Sequence, residues 1–161
     1  MKTENGWLVE QPGSTNLVPI AVAGEKFWVK CGYHGRIGGA VKHLIETLNS
    51  IEPIVDPGYD GTYCYRVIRG GSKWSNHAAG IAYDHNASRH PMGAEQYAGW
   101  SETQVHQIYA FLATPEGKMY KWGADYHGRK DPMHFELRGP EVWAELWPLF
   151  AKYDLYPPKK G

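Results

Sequence analysis

Two short segments of this chain hold the side chains best suited to hydrolytic chemistry: Ser75-Asn76-His77-Ala78-Ala79-Gly80-Ile81-Ala82-Tyr83-Asp84 and Asp131-Pro132-Met133-His134-Phe135-Glu136. Together they offer two imidazoles and a carboxylate, the donor set of a catalytic zinc site, in which three protein ligands leave a fourth position for water. His77, Asp84 and His134 are therefore the candidate ligands of one Zn2+ per chain. Taken singly, such residues are mostly turn formers or surface groups; the joint spacing carries the reading. Ala82 and Asp84 fall on one face of a strand, as His134 and Glu136 do on theirs, so neighbouring strands would bring the donors together.

Asp131 is the second carboxylate. Asp followed by Pro favours the first two places of a tight turn, which would fold Asp131 back toward His134. Beside the metal but not bound to it, this carboxylate would take a proton from the attacking water and deliver it to a leaving amine. Attack on an amide builds negative charge on the carbonyl oxygen, and a guanidinium aimed there stabilises it. Arg66 is the candidate and Arg69 the rival; on a strand the two point oppositely, so only one can serve. Ser75 either caps a turn or binds substrate, Trp74 is the aromatic expected in the cleft, and His127 belongs to a polar loop near its mouth. Glu136 is expected to orient His134 from behind, as metal-bound histidines commonly require. His85 and His90 lie close to the motifs as extra imidazoles whose role the spacing leaves open.

The elements that must position these groups follow from periodicity. Val41, Leu44, Ile45 and Leu48 repeat at helical spacing from Gly39 until Pro53. Ser101 with Gln104 forms a capping box ahead of Val105, Ile108, Tyr109 and Leu112, and Pro140 opens a last helix to Phe150 that includes Trp143 and Trp147 as core residues. Ile54–Val55, 63–68, 80–86, 119–122 and 133–137 have strand character, with Asp56-Pro57-Gly58 as a turn between the first two. Mixed strands and helices without βαβ alternation give an α+β fold with a small, mainly antiparallel sheet flanked by helices. Residues 1–19 read as an irregular arm anchored by Trp7 and Leu8, and 156–161 as a terminal tail.

A length of 161 residues fits a single catalytic domain. Lys plus Arg equals Asp plus Glu at 17 each, so no positive field attracts nucleic acid. No apolar run reaches membrane-spanning length, and residues 1–7 lack a basic start followed by an apolar stretch, so no secretory signal is expected. Cys31 and Cys64, far apart and without CxxC spacing, read as buried thiols ahead of a disulfide or metal ligands. Eight His and seven Trp in so short a chain suit a metal site and a peptide or carbohydrate cleft.

The pattern Ser75-x-His77-x-x-Gly80-x-Ala82-x-Asp84 with Asp131-x-x-His134-Phe135-Glu136 resembles the M15 peptidases: D-alanyl-D-alanine carboxypeptidases, phage L-alanyl-D-glutamate endopeptidases and their relatives of the Hedgehog fold. The resemblance implies zinc at His77, Asp84 and His134, an acid/base at Asp131 and an oxyanion-stabilising Arg66. Asp at 131, where carboxypeptidase members tend to carry Glu, favours the endolysin type. The implied partner is the stem peptide of bacterial peptidoglycan. A monomer made in the host cytoplasm would then reach the wall through membrane lesions. A carboxypeptidase trimming terminal D-alanine is the alternative, and a catalytically silent wall-binding module of the same fold is a second.

Overall fold

The computed structural model describes residues 1–57 and 61–159, so Gly58 of the expected turn and the last two residues of the tail fall outside it. The element order is β1 (Leu17–Val22), β2 (Glu25–Lys30), α1 (Arg36–Ile51), β3 (Ala82–Asp84), α2 (Glu102–Leu112), β4 (Tyr120–Trp122), β5 (His134–Leu137) and α3 (Pro140–Leu146), with short 3-10 turns between. β1 and β2 form an antiparallel hairpin, and β3, β5 and β4 form a second antiparallel sheet in that order. The class is α+β, as expected.

β1 begins at Leu17, inside the stretch expected to be irregular, and β2 was not anticipated at all. Pro19 reads as a breaker, yet in a two-stranded ribbon a residue without an N–H is tolerated where no third strand needs it. The loop is Ala23-Gly24, both at positive φ, the primed geometry that matches strand twist but here lacks the usual Asn-Gly signature. Buried Leu17, Ile20, Val22, Phe27 and Val29 turn this hairpin onto α1, whose Ile37, Val41, Leu44, Ile45 and Leu48 are all in the core.

Residues 63–68 do not form the expected strand; only a bridge between Val67 and Trp74 is present. Their neighbours are a 3-10 turn and a loop, and neither offers a ladder: Cys64 N–H donates to His77 O, and Ile68 N–H to Lys73 O. Ile54 and Val55 are not a strand either, because the N–H groups of Val55 and Asp56 both donate to the Asn86 side chain. The expected helix to Phe150 breaks at Trp147–Tyr153 into a 3-10 segment, since Pro148 supplies no N–H. That leaves Trp147 38% exposed beneath the Arg36 guanidinium, not in the core, whereas Trp122 is fully buried as expected. α2 starts with the Ser101/Gln104 capping box. Cys31 and Cys64 are half-buried. Among the described residues no helix is long and apolar enough to cross a membrane.

Candidate metal centre

β5 is the middle strand of its sheet, and its register against β3 sets Asp84 directly opposite His134 and Ala82 opposite Glu136. Two of the three donors are thus cross-strand partners, where opposing side chains are nearest. The third arrives on the 3-10 turn Asn76–Ala79, started by Ser75, whose Oγ accepts the His77 N–H, and ended by Gly80. Gly80 has φ +69, and a Cβ there would lie 2.8 Å from Lys30 N, so only glycine lets this turn seat against β2. The Lys30 N–H donates to Gly80 O at 2.9 Å, fixing the seat.

The result is a buried group in which one ligand atom each from His77, Asp84 and His134 lies within 4.8 Å of the others. His77 Nε2 stands 3.3 Å from Asp84 Oδ2, and His134 Nδ1 stands 3.2 Å from Asp84 Oδ1. A tetrahedral ion with bonds of about 2.0–2.1 Å has ligand–ligand edges of roughly 3.3 Å. Each imidazole therefore stands one such edge from an Asp84 oxygen, His77 from Oδ2 and His134 from Oδ1.

The remaining ring nitrogens fix the tautomers. His77 Nδ1 is 3.3 Å from Thr62 O, a carbonyl that can only accept, so with a cation at Nε2 the ring would keep its proton on Nδ1. His134 Nε2 is 3.2 Å from Glu136 Oε1 and donates to it, which leaves Nδ1 as the ligating atom. Glu136 also accepts from Tyr126 Oη, from Asn76 Nδ2 at 2.6 Å and from Asn5 Nδ2 at 3.0 Å.

Electrostatics follow the same pattern. Burial alone would raise the Asp84 carboxyl, but the flanking His77 and His134 outweigh it and hold Asp84 well below the usual carboxylate range. Burial would lower His134, yet its bonds to Asp84 and Glu136 raise it well above an ordinary imidazole. Glu136 stays ionised because His134 and Tyr126 overcome its burial.

Asp131, Pro132, Met133 and His134 form the expected turn, with His134 N–H donating to Asp131 O at 3.1 Å. Asp131 N–H donates to Gly123 O, and a Cβ on Gly123 would sit 2.3 Å from Asp131 O, so the turn is clamped against a glycine backbone. Asp131 is half-buried. Arg66 is also half-buried, and its carbonyl accepts the Ser75 N–H, which puts it opposite the cap of the His77 turn. Arg69 is exposed at the far end of that loop. Trp74 is half-buried with its ring 4.7 Å from Tyr65.

His127 is exposed and lines a cleft of about 550 Å3 together with Lys73, Lys121, Tyr126 and Glu136. None of the three donors lines that cleft; Glu136 and Tyr126 stand between it and His134. Asn5, Asn76, Thr62 and Tyr126 were not anticipated. Asn76 adjoins a ligand in the chain and was findable on that ground, while nothing near Asn5 in the sequence points to it.

A buried two-histidine, one-aspartate group on and beside a small antiparallel sheet could hold a metal ion in this α+β fold. Residues 69–137 match the family model described as D-alanyl-D-alanine carboxypeptidase, and that match supports membership of the M15 peptidases. The segment contains His77, Asp84, Asp131 and His134. Neither a curated protein nor a solved structure matches the chain. The match and the donor group together support a metal-dependent peptidase.

Proposed function

We propose that the protein is a zinc peptidase of peptidoglycan, of the phage endolysin type, that hydrolyses an amide in the stem peptide, between L-alanine and D-glutamate. The observation that carries this reading is the convergence of His77, Asp84 and His134 with each imidazole's second nitrogen held by a protein acceptor. When bound, zinc supplies a Lewis acid that polarises the amide carbonyl and acidifies the attacking water. Asp131, held three residues from His134 by its turn, takes a proton from that water as the new C–O bond forms, and passes it to the departing nitrogen as the C–N bond breaks. Arg66 faces the carbonyl oxygen as charge develops there. Ser75 keeps the His77 turn in place and presents its loop to the peptide, with Trp74 and His127 as flanking contacts. The enzyme acts as a monomer on the wall after release through membrane lesions.

The match to a D-alanyl-D-alanine carboxypeptidase family favours a second reading, removal of terminal D-alanine. Digestion of purified peptidoglycan by the zinc-loaded protein, followed by mass analysis, separates the two. Stem cleavage yields new D-glutamyl amino termini; carboxypeptidase action releases only free D-alanine from pentapeptides. A protein that sediments with the wall and releases neither product would be a binding module, and the proposal would be wrong.

A further inference from the structure

The N-terminal residues bear on the metal centre more directly than an arm lying on the surface would. Residues 2–8 form a small loop closed by a bridge between Lys2 and Leu8, docked by a second bridge between Thr3 and Trp74. Trp7 Nε1 donates to Arg138 O at 2.8 Å, and Glu4 N–H donates to Trp74 O at 3.1 Å, so both sides of the loop are tied down. Between these ties Asn5 points at β5.

Every polar atom of the Asn5 side chain is used. Nδ2 donates to Glu136 Oε2 at 3.0 Å and to Leu137 O at 2.7 Å, and Oδ1 accepts from Thr3 Oγ1 at 2.9 Å. Its backbone N–H donates to Asn76 Oδ1 at 3.3 Å, and Asn76 Nδ2 in turn reaches Glu136 Oε2 and Glu4 Oε1. A carboxylate has about four lone-pair sites. Those of Glu136 are divided two and two: Asn5 and Asn76 on Oε2, Tyr126 and His134 on Oε1. Holding Oε2 from one side is what keeps Oε1 against His134 Nε2, and that contact makes Nδ1 the ligating nitrogen.

We propose that Asn5 is a positioning residue for the metal centre, acting through Glu136 on His134, so that the N-terminal loop belongs to the metal-binding unit although it lies outside the segment shared with the M15 peptidases. The inference rests on the zinc reading above, and its test separates the two. Zinc affinity is measured by competition with a chromogenic chelator on the full chain, alongside the melting temperature. Removing an outer partner of a metal histidine costs about 10–100-fold in affinity. Asn5→Ala is expected to weaken zinc at the low end of that range, and Asn5→Asp further, because it sets a second carboxylate against Glu136 while keeping the acceptor for Thr3. Arg36→Gln, which breaks the remote ion pair with Asp154, gives the control for mere destabilisation: a lower melting temperature with wild-type zinc affinity.

Zinc binding by both Asn5 variants at wild-type strength would overturn the inference and leave the zinc site standing. A wild-type chain that binds no zinc would overturn both. Should the Asn5 variants not fold, Thr3→Val decides: it removes the hydroxyl that donates to Asn5 Oδ1 and accepts the Trp7 N–H, so zinc binding weakened beyond what an equal loss of melting temperature brings in Arg36→Gln supports the assignment, and unchanged binding refutes it.

Discussion

Two buried clusters in this protein are built from the same parts. One holds His77, His134 and Asp84; the other holds His85, His90 and Glu52, with His85 following Asp84 directly in the chain. In the second cluster His85 Nδ1 meets Tyr83 Oη at 2.8 Å and its Nε2 meets Glu52 O at 2.9 Å. His90 Nδ1 meets Ala98 O at 2.9 Å, its Nε2 meets Glu52 Oε1 at 2.8 Å, and its ring stacks on Trp100 at 3.7 Å. Both nitrogens of both rings are thus committed to protein atoms, and each ring is fully buried. In the first cluster one donor atom from each of His77, Asp84 and His134 lies within 4.8 Å of the others, and among the described residues no other group of three such side chains converges in this way. Composition does not separate a metal site from a structural network. The convergence of three donor atoms on one point does.

The contrast is broken or sharpened first by deleting a carboxylate from each cluster. Asp84→Ala is expected to abolish both zinc retention and hydrolysis, measured by metal analysis and muropeptide release, whereas Glu52→Ala should retain zinc in every molecule that folds. Loss of zinc in the Glu52 variant alone would reverse the assignment of the two clusters.

Within the metal cluster, Asp131→Ala should lower turnover by about 10²–10⁴-fold at unchanged zinc content, the range for a general acid–base. Equal activity in that variant would remove Asp131 from the chemistry and leave it as a turn residue.

A smaller effect is expected from the structural cluster itself. Glu52→Gln weakens the bonds to His90 and Asn86 in a buried network and should cost about 2–3 kcal/mol in urea unfolding, with zinc affinity unaltered. Stripping zinc from the wild type should lower its stability by a comparable amount, about 2.7 kcal/mol relative to a zinc concentration a hundredfold above Kd. Glu52→Gln should show the same zinc-dependent increment, since the clusters act independently.

The pH dependence gives the subtlest distinction. Burial would raise the Glu52 carboxyl, but bonds from Asn86 and His90 outweigh it and lower it from 4.5. A carboxyl with a depressed folded value stabilises the fold fully above its unfolded value and loses that contribution as pH falls through the folded one. The stability gap between wild type and Glu52→Gln should therefore be widest above about pH 4.5 and narrow below it. A gap that widened on acidification would contradict the ionised state assigned to Glu52.

The strand and turn patterns that carry His77, Asp84, His134 and Asp131 were legible because each is local. Period-two alternation placed Ala82 with Asp84 and His134 with Glu136, and an Asp-Pro pair forecasts a turn wherever it stands. α1 and the capped α2 were legible for the same reason. The hairpin of β1 and β2 was hidden by Pro19 and by an Ala-Gly turn that has the right backbone without the usual residues. Residues 63–68 have strand composition but no strand beside them, and pairing is a property of neighbours. Nor does the sequence distinguish His85 and His90 from the candidate ligands, because the Glu52 side chain that occupies His90 comes from the end of α1, 38 positions away. Asn5 is the extreme case: it sits 131 positions from the glutamate it holds.

The central claim is most directly tested by locating zinc with anomalous diffraction at its absorption edge in crystals of the zinc-loaded protein. One peak about 2.0–2.1 Å from His77 Nε2, His134 Nδ1 and an Asp84 oxygen is the predicted result. A peak instead between His85, His90 and Glu52, or none near either cluster, would contradict it.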